Sequence, residues 1–372
     1  GTRMISLKAL EQQIIEYRNE GKPLPPSVMF MAGLQRIEYV IVSPDTGDII
    51  VAGPGEGFKT NGDGLVVGAQ NGMPVIHLED FLVAMRHVQQ ARTGHGISVS
   101  IDPTETGTAN IRKVMKQLRP STFDENSIRA IEEAGGAQMI TLTGVPKDSR
   151  FSNVLVSADY KMKRLAMGFE ESPEYLPNIF TLAERKNSRT KSMSPRFWME
   201  TSYEPMSVSE DKLVWKLNGQ GVCTKTQEEV MLKSGEKKIK RNKLAETWAE
   251  TMTEKYESLC RDEPIFQELR NLMDLSVVAA VIEREHMLAK VGLDLPAIKG
   301  MDQISLPKWN VPQNVPTQCS YAFMPRLMVT ASGGVTVDSW AVAAKTNVDS
   351  KLNMFGETAI ENQSNRWWWN AN

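Results

Sequence analysis

Ile37-Glu-Tyr-Val-Ile-Val42, then Pro44-Asp-Thr-Gly-Asp48, then Ile49-Ile-Val-Ala52 is the stretch on which the fold turns. Two runs rich in β-branched residues flank a short connection containing Gly47, a pattern that predicts a β-hairpin. On its N-terminal side the pattern is helical. Ser6 can cap, Leu7, Leu10, Ile14, Ile15 and Tyr17 recur at helical spacing, and Gly21 with Pro23 stops the run. Gly1-Thr2-Arg3 reads straight into that helix, with no basic-then-apolar leader. On the C-terminal side Gly53-Pro-Gly-Glu-Gly57 closes the hairpin. It lacks the Lys-Ser/Thr of a phosphate loop, and Pro54 removes an amide donor.

Working outward, a second strand pair is expected around Asn71-Gly72, formed by residues 65–67 and 74–77. Helices over 79–90, 106–118 and 127–134 alternate with strands over 97–101 and 138–143. Residues 1–145 therefore read as an α/β lobe of hairpins and mixed sheet with helices. Residues 146–292 read as a second lobe. It opens with a helix over 148–167 and a polar basic loop over 185–196, followed by a strand meander (196–203, 213–217 and 221–226). A basic turn over 233–243 leads to long helices over 244–260 and 264–290. Leu275-Ser-Val-Val-Ala-Ala-Val-Ile282 makes the middle of the last helix apolar all round, as a central buried helix requires. Residues 293–350 carry Pro296, Pro307, Pro312, Pro316 and Pro325 and read as an extended wrapping segment. A last hairpin is expected there around Ser332-Gly333-Gly334, and residues 351–372 form a polar tail ending in Trp367-Trp368-Trp369. The fold class is α+β.

Composition removes several functions. With 43 Lys plus Arg against 45 Asp plus Glu in 372 residues, there is no global attraction for nucleic acid or anionic lipid. The longest apolar run falls far short of the roughly 20 residues of a membrane span. Cys223, Cys260 and Cys319 cannot build a disulfide framework.

Chemistry is thinly signalled. No pair among His77, His87, His95 and His286 has metal-ligand spacing, and Glu283-Arg-Glu-His286 lacks the second histidine of a zinc helix, so no metal or cofactor is expected. The catalytic candidates are His95, Asp102 and Asp159. His95 sits between Gly94 and Gly96, ahead of a strand ending at Asp102-Pro103, where an α/β fold places acid/base pairs. The plainer reading is a turn residue. Asp159 lies at the edge of the stripe Leu155, Ala158, Met162, Leu165, where it can pair with Lys163 or orient a binding residue. Lys237, Lys238, Lys240 and Arg241 are the binding candidates for a polyanion, against a plainer reading as a solvated turn. Trp367, Trp368 and Trp369 either fold back into a groove or serve a protein or glycan partner.

Further stretches carry a family likeness: Ile5-Ser-Leu-Lys-Ala-Leu-Glu11, Ala32-Gly-Leu-Gln-Arg-Ile37, Pro44-Asp-Thr-Gly-Asp-Ile49 and Ala52-Gly-Pro-Gly-Glu-Gly57. Asp80-Phe-Leu-Val-Ala-Met-Arg86, Ser100-Ile-Asp-Pro103, Val156-Ser-Ala-Asp-Tyr-Lys-Met-Lys163, Asn218-Gly-Gln-Gly-Val222, residues 270–280 and Arg366-Trp-Trp-Trp369 extend it. Over nearly its full length the chain resembles an uncharacterised planctomycetal family known as a domain of unknown function. The resemblance brings no activity or catalytic residue. It implies that longer members carry an export leader, hence an extracytoplasmic home, where unpaired cysteines need burial or partners. The leading expectation is a binding or assembly protein of the cell envelope. The alternative is a hydrolase or transferase assembled around His95, Asp102 and Asp159, and a third reading is polyanion binding through the basic loops.

Overall fold

In the computed structural model, β1 (Thr2–Ser6) precedes α1 (Leu7–Asn19), so the chain enters as a strand where a helix was expected. Five residues ahead of a cap are too few to show an alternation. The cap itself is as expected, with Ser6 Oγ accepting the Ala9 N–H at 3.0 Å. The described residues are 1–94, 96–301, 304–323 and 326–371, so His95 and Pro325 lie outside them.

After α2 (Pro26–Met29) comes the expected hairpin, β2 (Tyr39–Ser43) and β3 (Asp48–Pro54), with Tyr39 opposite Ala52 and Ser43 opposite Asp48. The next pair departs from expectation: β4 (Phe58–Thr60) pairs with β5 (Val66–Gly68). Residues 74–77 make only an isolated bridge, Val67 to Pro74, since Pro74 has no N–H with which to extend a ladder. Then follow α3 (Leu78–Arg86), β6 (Ile97–Pro103), α4 (Glu105–Gln117), α5 (Glu125–Gly135), β7 (Ala137–Thr143) and α6 (Arg150–Ala166). The basic loop lies between α7 (Ile179–Arg185) and β9 (Arg196–Val208), interrupted by the short β8 (Ser192–Met193).

The expected meander is one long hairpin of β9 with β10 (Val214–Met231). Two register shifts, between Lys216 and Asn218 and between Asn218 and Gly221, divide the sequence pattern without ending the strand, and Gly219 and Gly221, at φ 96° and 91°, take up the second. The basic turn carries β11 (Lys237–Lys240), paired with β10. Each expected long helix is broken. Lys255 separates α8 (Lys243–Glu254) from α9 (Tyr256–Asp262), and His286 at φ 52° separates α10 (Pro264–Arg284) from α11 (Met287–Val291). The remainder comprises α12 (Pro296–Lys299), β12 (Asn314–Pro316), β13 (Cys319–Phe323), β14 (Arg326–Thr330) and β15 (Ser332–Val337). It ends with α13 (Ser339–Ala343), β16 (Thr346–Val348), α14 (Phe355–Glu361) and β17 (Trp368–Ala371). The hairpin expected around Ser332-Gly333-Gly334 does not form: β14 pairs with β13 and β8, whereas β15 enters the main sheet.

The class is α+β. A mixed sheet runs β12-β7-β6-β15-β9-β10-β2-β3-β1-β17, with β11 beside β10 and β16 beside β9. Strands from all four stretches marked off in the sequence share it. Along β6, Ile97, Val99 and Ile101 point to one face and Ser98, Ser100 and Asp102 to the other. The first face is covered by α6, α8 and α10. The first half of α10 buries charge in pairs. Asp274 receives Arg36 Nε at 2.9 Å and the Tyr203 hydroxyl at 2.7 Å, and Glu268 shares Arg150 with Asp80. Removing one partner from such a pair costs about 3–5 kcal/mol. Among the described residues no helix is long and apolar enough to cross a membrane.

Candidate functional site: a groove between α6 and the proline-rich segment

Ser149 starts α6 by accepting the Ser152 N–H, and Leu155, Ala158, Met162 and Leu165 turn inward from there. That leaves Ser157, Tyr160 and Lys161 on the flank that faces the proline-rich segment. The segment is pinned at several points. Arg86 donates to the carbonyls of Ala297, Ile298 and Ile304 at 2.9–3.1 Å, and Trp309 Nε1 donates to Glu79 at 2.9 Å. It then reaches β7 as β12, with Val315 opposite Gln138 and Pro316 opposite Ala137. Pro312 and Pro316 bracket β12 without N–H groups, which blunts the end of the sheet against further strands.

Between β12 and α6 lies a groove of about 510 Å³. Its walls are Val156, Ile265, Val315 and three prolines, Pro264, Pro312 and Pro316. Tyr160, Lys161 and Glu263 supply its polar edge. Lys161 Nζ is 2.8 Å from Glu170 and 3.2 Å from Glu263. Burial alone would lower its pKa, but the hydrogen bonds and charges of Glu170 and Glu263 outweigh burial and hold it above the usual lysine value. Lys161 is thus a fixed ammonium, suited to binding and unsuited to nucleophilic attack.

Tyr160, Val315 and Pro316 also line a second cavity of about 20 Å³, which adds Gln138, Lys163 and Gln318 and has room for about one water. Here Lys163 Nζ lies 2.9 Å from Asp159 Oδ2, the (i, i+4) pair the sequence suggested, but fully buried. Burial pushes the Asp159 carboxyl above the usual range against the opposing pull of Lys163 and of the Gly334 backbone N–H.

Ser332-Gly333-Gly334 explains how this pair fits. A Cβ on Gly333 would stand 2.2 Å from Asp159 Oδ1, so only glycine lets the carboxylate lie on the strand. On the opposite face Arg196 crosses Gly334, bonding Ser100 Oγ at 3.1 Å and standing 3.5 Å from Asp102. Asp102 and Asp159 therefore lie on opposite faces of the sheet, each beside its own cation. His95 lies outside the described residues.

The three cysteines are free and buried. Burial pushes the Cys260 and Cys319 thiols up to about 12, and burial with the Glu200 charge also raises Cys223, so all three stay protonated. The tryptophans fold back: β17 pairs with β1, Met4 opposite Trp369. Trp369 is buried with Nε1 donating to Ala359 O at 2.8 Å, Trp368 lies under the Arg3 guanidinium, and the Trp367 carbonyl accepts the Ser6 N–H. Lys237, Lys238 and Lys240 are exposed on β11, whereas Arg241 is paired with Glu246 at 2.9 Å. The groove residues themselves were missed. Lys161, Glu263 and Pro312 come from three distant stretches, and only the spacing of Asp159 and Lys163 hinted at the place.

Residues 99–179 match the model of a family described as a protein of unknown function (DUF1598). That is less than a quarter of the chain, short of the near full-length likeness expected. The matched segment runs from β6 through α6 and includes Asp102, Tyr160, Lys161 and the Asp159–Lys163 pair. No curated protein and no solved structure matches the chain.

Proposed function

We propose that this chain is a non-catalytic binding protein of the cell envelope and that the groove between α6 and β12 seats a segment of a partner protein. The groove's volume and lining carry this reading. Aliphatic and proline walls accept an apolar or aromatic side chain, while Lys161 and Glu263 stand where the polar backbone of a bound peptide would emerge. A glycan would call for more aromatic faces and hydrogen-bonding groups than these walls offer. The extracytoplasmic setting rests on the sequence resemblance alone, since free buried thiols occur in reducing and oxidising compartments alike. A hydrolase or transferase reading is weaker, because Asp102 and Asp159 are separated by the sheet and each is held by a cation.

The test is a two-dimensional NMR screen of the full chain against aromatic-rich and proline-rich peptides and against oligosaccharides. Peptides should shift the signals of α6 and β12, and Ser157→Trp, which fills the groove, should abolish the shifts without unfolding the chain. Binding that survives Ser157→Trp contradicts the reading. So does turnover of an ester, peptide or glycoside that disappears in Asp159→Asn.

A further inference from the structure

The β10–β11 ribbon outruns the sheet. Gln227, opposite Arg196, is the last β10 residue to pair with β9, and Glu228 to Met231 pair only with β11. Beyond the sheet the ribbon is only thinly covered, with Arg112 of α4 reaching Met231 at 3.0 Å, yet it carries four apolar side chains that stay more than a third exposed. Val230 is 39%, Met231 42%, Leu232 43% and Ile239 62% exposed. Interleaved with them are Lys233, Lys237, Lys238 and Lys240, none of which has an ion pair among the described residues. The second basic loop joins the ribbon at its root. Glu228 accepts the Ser194 N–H at 2.7 Å and Asn242 Nδ2 at 2.9 Å, which brings the stretch holding Arg189 and Lys191 alongside.

We propose that this ribbon is a docking device for an anionic membrane surface. The charge complements acidic headgroups, and the exposed Val, Met, Leu and Ile are the part a bilayer interface, but no soluble polyanion, would take up. Single-stranded nucleic acid would be met by aromatic platforms, and residues 228–243 include no aromatic. The ribbon lies apart from the groove, so this inference extends the chain's envelope role without depending on what the groove binds.

The experiment is co-sedimentation of the full chain with phosphatidylcholine vesicles, with and without about 30 mol % phosphatidylglycerol. Binding should require phosphatidylglycerol and weaken with salt. Lys237→Ala/Lys238→Ala/Lys240→Ala should lower affinity about a hundredfold, at roughly fivefold per lysine near the surface. Leu232→Ser/Ile239→Ser should lower it about tenfold or more while leaving the salt dependence intact. All five positions are exposed, and an unchanged circular dichroism spectrum confirms folding. No preference for phosphatidylglycerol, or full affinity in the triple-lysine variant, overturns the proposal. Full vesicle affinity in Leu232→Ser/Ile239→Ser together with equal binding to heparin also overturns it, in favour of a soluble polyanion.

Discussion

Both ends of the main sheet are finished by segments from late in the chain, β12 at one and β17 at the other, but one end is sealed and the other hollow. At the β17 end, large side chains do the closing. Trp369 sinks against Met4, Ile41, Ile50 and Ala359, and Trp368 is capped by Arg3. At the β12 end Val315 and Pro316 complete the ladder, but with Pro312 they cannot fill the space against α6, and a groove remains. The same device, a returning edge strand, is thus a seal or a site according to the side chains it carries.

The comparison breaks first at the sealed end. Trp369→Ala should cost about 3–5 kcal/mol in chemical denaturation, because a buried indole and its hydrogen bond to Ala359 are both lost. A loss below about 1 kcal/mol would mean that the end is not sealed. Next in size is Gly333→Ala, near the inner wall of the hollow end. Its Cβ collides with Asp159, and overpacking of this kind costs about 1–3 kcal/mol. In a double-mutant cycle with Asp159→Ala the two costs should fall well short of additive, and additivity would separate Gly333 from the buried pair. Smallest is Val315→Ala on β12. A half-buried wall of an open groove should cost less than about 1 kcal/mol by the same denaturation assay, and a larger loss would show the hollow end to be packed.

Local features were legible in the sequence and long-range ones were not. The Ser6 cap, the β2–β3 hairpin, β6 and the body of α6 rest on signals within a few residues. The Asp159–Lys163 pair needed only a helical spacing of four. By contrast, Gly333 and Gly334 look like a turn in sequence because turns and close approach ask for the same residue, and only the carboxylate from α6 tells them apart. Gly219 and Gly221 divided β10 for a related reason, since a bulge within a strand is written like a break between two. The cations that pair with Asp274 and Glu268 lie more than a hundred residues away, at Arg36 and Arg150, so no window along the chain could reveal that the first half of α10 buries its charges in pairs. The groove is invisible for the same reason, being made of gaps between segments that never adjoin in sequence.

The central claim, that the hollow end is a ligand seat, can be measured through a thiol placed in it. The native cysteines are buried and held protonated, so the unmodified chain should react slowly with a small maleimide. Ser157→Cys should react at close to the rate of an exposed thiol, and a saturating groove peptide should slow it at least about tenfold, as occlusion of a shared site requires. Reaction no faster than in the unmodified chain, or a rate indifferent to bound peptide, would contradict the claim.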